Sequence, residues 1–167
     1  IRDSPELAHR AVAVGGSEQR RGVLCTCNYL ARKYGVCSAM ATATALRLCP
    51  ELVVLPVNMA KYKSVSRQIQ AIFREYTDLV GPLSLGVAFL DVTNSAHHHG
   101  SATLIAEEIR QRIWDEYQLT ASAGVSVNKF LAKVASAWNK PNALCVIRPE
   151  QIEQFVAALP VNKLFGV

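Results

Sequence analysis

The residues with the greatest capacity for chemistry crowd near the start of the chain: Arg20, Arg21, Thr26, Tyr29, Arg32, Lys33 and Tyr34. Tyr29 and Arg32 are three apart, so on a helix they project from one face. Thr26 stands just before that helix. Two hydroxyls and a guanidinium at a helix start suit a phosphate group, because charge, donors and the positive helix end converge there. Spacing alone favours the plainer reading, a solvated basic surface. A second basic set is Lys129, Lys133 and Lys140. Lys129 and Lys133 are one helical turn apart and read equally as an exposed face or as a pair tracking a nucleic-acid backbone. His97, His98 and His99 are consecutive, so they point in different directions and read as a solvated loop rather than a metal site. Acids are sparse where they would matter. Metal-assisted phosphoryl chemistry needs two or three carboxylates meeting at one point, and Asp78 and Asp91 are isolated. Asp91 reads as structural, bonding a turn near Thr93 or Asn94.

The remaining composition bounds the class. Half of the 167 residues are apolar and 19% are charged, which excludes disorder as the main state. No apolar run is long enough for a transmembrane helix. Eighteen Lys and Arg against thirteen Asp and Glu give a net charge of +5, which leans weakly toward a polyanionic partner. The five cysteines, odd in number and without a C-x-x-C pair, imply reduced thiols in a cytosol-like compartment. Cys25 and Cys27 share a face of a strand and read as two buried small hydrophobes, with a two-thiolate metal site as the alternative. The chain opens on Ile1 without a leader-like segment.

Periodicity supplies the elements that must position these groups. Ser4 is an expected N-cap before Pro5. Strands are expected at 11–14, 23–26 and 52–55, and short helices at 28–34 and 42–48. Met59, Tyr62, Val65, Ile69, Ile72 and Tyr76 recur at steps of three and four and predict an amphipathic helix of five turns. Strands are expected at 83–85 and 88–92. Ser101 is expected to cap a helix carrying Ile105, Ile109, Ile113 and Tyr117. A strand at 119–125 follows, then a helix at 128–138 with Phe130, Leu131, Val134 and Trp138 on its apolar side, a strand at 143–147 and a last helix opened by Pro149. From residue 58 this order implies an α+β arrangement with helices over one face of a mostly antiparallel sheet. The first part reads as a smaller, separate lobe.

Several strings together resemble one family. Arg21-Gly22-Val23, Thr26-Cys27-Asn28-Tyr29 and Ala31-Arg32-Lys33-Tyr34-Gly35-Val36 are similar to the fingers of Y-family translesion DNA polymerases. Pro82-Leu83-Ser84-Leu85 and Ala88-Phe89-Leu90-Asp91-Val92-Thr93 resemble the palm hairpin. Ala121-Ser122-Ala123-Gly124-Val125, Lys129-Phe130-Leu131-Ala132-Lys133 and Asn139-Lys140-Pro141-Asn142 resemble the last palm strand and helix. The stretch from His99 to Ala106 points to the bacterial DNA polymerase IV branch.

The resemblance implies a layout: fingers at 1–57, a ferredoxin-like palm at 58–146 whose first strand would lie upstream of Ile1, and the start of a thumb at 147–167. It implies a cytoplasmic bacterial enzyme of lesion bypass that adds dNTPs to a primer on a template by two-metal nucleotidyl transfer with Mg²⁺. Sliding-clamp binding would use a tail beyond this chain. Thr26, Tyr29, Arg32 and Lys140 would bind the triphosphate of the incoming nucleotide, and Lys129 and Lys133 would lie near the primer-template. The family's metal ligands are one upstream acid and an adjacent Asp-Glu at the palm hairpin. Gly86 and Val87 stand at the latter two positions. Gly has no side chain and Val no oxygen, so no family ligand is retained and the chain is expected to be inactive. A non-catalytic nucleotide- or DNA-binding module, or a degenerate polymerase copy, are the alternatives. Cys37 in place of a basic residue and Phe165 in place of Pro are milder departures.

Overall fold

A computed structural model describes residues 2–164, so the readings made at Ile1 and Phe165 lie outside the described residues. The chain divides into two compact units, Ile1–Lys61 and Tyr62–Val167.

The first unit is built on a three-stranded sheet. Its central strand β1 (Val12–Gly15) pairs antiparallel with β2 (Leu24–Cys27) and parallel with β3 (Val53–Leu55). Two short helices, α1 (Tyr29–Lys33) and α2 (Thr42–Leu48), supply Ala31 and Ala45 to the core beneath it. Leu24 and Cys27 are both buried although three apart. The register explains this: Val14 faces Thr26 and Gly15 faces Leu24, so Cys25 is the extra residue of a bulge. The bulge corrects the cysteine expectation. Cys27 is buried, with its thiol donating to the Val36 carbonyl at 3.3 Å, while Cys25 is exposed. Burial pushes the Cys27 thiol pKa up. Ser4 makes no capping bond to the short 3₁₀ turn Pro5–Leu7, contrary to expectation.

The second unit contains α3 (Met59–Tyr76), which starts just before the boundary, then the hairpin β4 (Val80–Ser84) and β5 (Val87–Leu90). It continues with α4 (Ala102–Tyr117), β6 (Ala123–Val125), α5 (Lys129–Trp138), β7 (Leu144–Val146) and α6 (Ile152–Ala157). The ladders are two separate pairs among the described residues, β4 with β5 and β6 with β7. β6 and β7 run parallel, which departs from the mostly antiparallel expectation. The cause is the connection: a helix carries the chain back over the strand before the next begins, as a parallel neighbour requires. The strand expected at 119–125 is shorter because Leu119 and Ala121 pack against the α3–α4 core instead of pairing.

Ile72 and Tyr76 of α3 meet Ile105, Ile109 and Ile113 of α4 in one core, as the periodicity predicts. Ser101 caps α4 and Asn128 caps α5, each accepting a backbone N–H from the first turn. On α5, Leu131 and Val134 are buried, but Phe130 and Trp138 are largely exposed, so the apolar stripe is narrower than expected. α5 lies directly on β6 because Gly124 has no side chain. A Cβ at 124 would fall 2.0 Å from the Ala132 carbonyl oxygen and 2.3 Å from the Ser136 nitrogen.

The three histidines are solvent-exposed just before Ser101, as expected, but they form an ordered turn with partners rather than a loose loop. Residues His97–Gly100 form a turn in which His98 and His99 have left-handed backbones at φ 49° and 53°. His97 lies against the Tyr76 ring, with its Nε2 3.0 Å from the Glu75 carbonyl, and His98 pairs with Glu108. Arg112 holds both carboxylate oxygens of Glu75, at 2.6 and 3.1 Å, and that of Glu116 at 2.9 Å. Arg112 pulls the Glu75 pKa below its ordinary value, and His98 followed by Tyr76 does the same to Glu108.

Two outcomes follow from this unit. Gly124→Ala must push α5 off β6, and we expect a loss of roughly 1–3 kcal/mol in urea unfolding. Glu75 and Glu108 have folded pKa values below the usual 4.5, so their contribution is present above that value and is lost as pH falls through the folded ones. The melting temperature should therefore drop on acidification below pH 4.5, with a shallower drop in Glu75→Gln.

Candidate nucleotide and nucleic-acid interface

Asn28 organises the basic site of the first unit. Its Oδ1 accepts the N–H of Ala31 at 3.0 Å and of Val12 at 3.1 Å, and its Nδ2 donates to the Arg10 carbonyl at 2.8 Å. One side chain thus caps α1 and ties it to the edge of β1. The chain leaves α1 through Gly35, whose φ of +82° suits glycine. Tyr29 and Arg32 do share a face, with the guanidinium 5.9 Å from the tyrosine ring centre. Both are exposed, as is Thr26 on β2. The structure therefore brings Thr26, Tyr29 and Arg32 to one short strand–helix segment. The helix end adds less positive potential than expected. α1 is five residues long, and its Ala31 N–H is taken by Asn28. Tyr34 is committed elsewhere, its hydroxyl donating to Glu51 at 3.1 Å.

Lys129, Lys133 and Lys140 all belong to the second unit. Lys129 is exposed, its Nζ 5.8 Å from the Phe89 ring centre, a cation–π contact from the start of α5 to β5. Lys133 is half-buried rather than on a fully exposed face, and burial, followed by the nearby charge of Lys140, lowers its pKa. Lys140 is exposed in the turn after α5. That turn is held by a residue the sequence did not single out. Arg110 donates from Nε to the Ala121 carbonyl at 2.8 Å, and from Nη2 to the carbonyl and Oδ1 of Asn142 at 2.9 and 3.0 Å. Arg110 adjoins the buried Ile109, but no local pattern links it to a residue 32 positions on.

The hairpin places Gly86 in the turn and Val87 at the first position of β5, opposite Ser84. Gly86 is exposed, and a Cβ there would meet nothing within 4 Å. Asp91 lies at the other end of the hairpin. Its Oδ1 accepts from the Thr93 hydroxyl at 2.7 Å and the Thr93 N–H at 3.0 Å. Those bonds hold its pKa below the ordinary value and make it the turn residue expected. Among the described residues, no three His, Cys, Asp or Glu side chains are grouped to hold a metal ion. No described helix is long and apolar enough to cross a membrane.

The impB/mucB/samB family model matches residues 1–137. The chain belongs to this family. The DNA polymerase IV of Pectobacterium atrosepticum is 62% identical over 167 residues, which is 100% of this chain and 47% of that protein. The DNA polymerase IV of Pseudomonas savastanoi pv. phaseolicola is 59% identical with the same coverage. The chain thus spans about half the length of the curated relatives it matches. DinB from Sulfolobus solfataricus is structurally similar at a TM-score of 0.89 and 30% identity, covering 98% of this chain and 48% of that one. The insertion ternary complex of Dbh DNA polymerase gives 0.90 at 30%, covering 99% and 49%. This impB/mucB/samB chain therefore has the α+β fold of the Y-family DNA polymerases.

Proposed function

We propose that this chain is the fingers (1–57), the palm (58–146) and the thumb start (147–167) of a translesion DNA polymerase that keeps contacts to nucleotide and DNA but lacks the groups for catalysis. The observation that carries the reading is the hairpin: Gly86 and Val87 stand where the family resemblance implies adjacent acids. Neither residue offers an oxygen from its side chain to a cation. Asp91 is bonded to Thr93 at the far end of the same hairpin. The residues present thus do not fit the pair of Mg²⁺ ions that the resemblance implies, and no step through them is assigned to this chain.

The binding side of the reading rests on different residues. Thr26, Tyr29 and Arg32 of the first unit supply two hydroxyls and a guanidinium on an exposed segment, a donor set suited to phosphate oxygens. Lys140 of the second unit is a phosphate ligand of the point-charge type. Lys129 and Lys133, one turn apart on α5, face DNA phosphates. The partners on this reading are dNTP and primer-template DNA, with a sliding clamp engaged by a segment outside this chain. The setting is the bacterial cytoplasm.

The test is equilibrium binding of a fluorescent dATP analogue and of a labelled primer-template, read by anisotropy. Arg32→Ala is expected to weaken the dATP analogue by about tenfold, the scale of a hydrogen bond to a charged group. Affinity unchanged by Arg32→Ala would contradict the assignment.

A further inference from the structure

We propose that Arg110 is a positioning residue for Lys140, acting through the turn that carries it; this rests on the reading of Lys140 as a phosphate ligand. Lys140 is exposed in the segment between the last residue of α5, Trp138, and the first of β7, Leu144. Such a lysine has a long flexible stem, and the turn beneath it fixes where its ammonium can reach.

That turn is gripped by one planar group, beside the Ala143 N–H bond to Ser122 Oγ and the Ala123 N–H bond to the Ala143 carbonyl. Two nitrogens of the Arg110 guanidinium reach two segments. Nε donates to the Ala121 carbonyl before β6, and Nη2 donates to both the carbonyl and Oδ1 of Asn142 before β7. The fork therefore couples the approach to one strand to the approach to its parallel neighbour, with Lys140 two residues from the clamped position. Asn142 has a left-handed backbone at φ 47°, a conformation asparagine tolerates better than most residues. Its side chain turns back to Arg110 and helps hold that geometry. A lysine at 110 would carry the same charge but could not present the rigid planar fork.

Lys133 adds a second reason to fix the turn. Its ammonium is disfavoured by burial and by Lys140 nearby. Two like charges at close quarters drift apart unless the backbone holds them, and an anionic phosphate between them relieves the repulsion.

A double-mutant cycle tests the proposal on the whole chain. Metal-free dATP binding is measured by calorimetry for the parent chain, Lys140→Ala, Arg110→Lys and the pair. Lys140→Ala and Arg110→Lys should each weaken dATP, by about tenfold and somewhat less, and the pair should be no weaker than Lys140→Ala alone. Asn142→Gly suits the left-handed backbone, keeps the carbonyl acceptor and removes the side chain that carries Oδ1. It should show the same coupling at smaller size, and it serves as the probe if Arg110→Lys does not fold. An effect at 110 or 142 that persists undiminished in the Lys140→Ala background, or no effect at either, overturns the positioning role while leaving Lys140 as a ligand. No effect of Lys140→Ala overturns the reading of Lys140 and the proposal with it.

Discussion

The second unit depends on one close approach: α5 sits on β6 with no side chain between them at Gly124. The backbone of Ala132 and Ser136 occupies the space where any Cβ at 124 would stand. This contact fixes the height of α5, and with it both Lys129 and Lys133. It also fixes the point from which the chain leaves α5 to form the Lys140 turn and return as β7 beside β6. Ser136 and Ala132 are small, and Leu131 and Ala135 fill the core beside them. Lys129 and Lys133 are thus carried on a strand–helix–strand frame, and Lys140 on the turn that follows its helix.

The first unit solves the same problem differently. Its sheet is small, so a single polar side chain, Asn28, replaces extended packing as the anchor for the segment bearing Tyr29 and Arg32. The bulge at Cys25 turns Leu24 and Cys27 into the core and leaves Thr26 outward beside that segment. A strict alternation would have placed Cys25 and Cys27 on the same face. The bulge, one inserted residue, separates a structural thiol from an exposed one and presents the threonine hydroxyl to solvent.

Long amphipathic elements were legible because burial repeats along them. The stripes of α3 and α4 follow directly from Ile72, Tyr76, Ile105, Ile109 and Ile113. The cap at Ser101 was visible in type and position because a capping oxygen acts within three residues, whereas Ser4, of the same type, makes no such bond. Features that depend on distant partners were not legible. The bulge at Cys25 is set by pairing to β1, and Leu119 and Ala121 are claimed by a helix pair rather than a ladder. His97 and His98 are held by Glu75 and Glu108 far along the chain. Arg110 belongs to the same class: its role lies in bonds to Ala121 and Asn142, which no helical spacing announces. That Gly86 and Val87 carry no side-chain oxygen was legible at once, because it depends on no distant partner.

The central claim is that this hairpin separates binding from catalysis. It is tested by grafting residues 1–167 in place of the matching segment of the Pectobacterium atrosepticum DNA polymerase IV and measuring primer extension with Mg²⁺. That design supplies the rest of an intact relative, and the open space around position 86 gives a restored side chain room. The account predicts that the graft loses at least ~10³-fold in extension rate, since one lost electrostatic donor already costs ~10²–10³. It predicts recovery when Gly86→Asp and Val87→Glu are made together. Robust extension by the unaltered graft would contradict it.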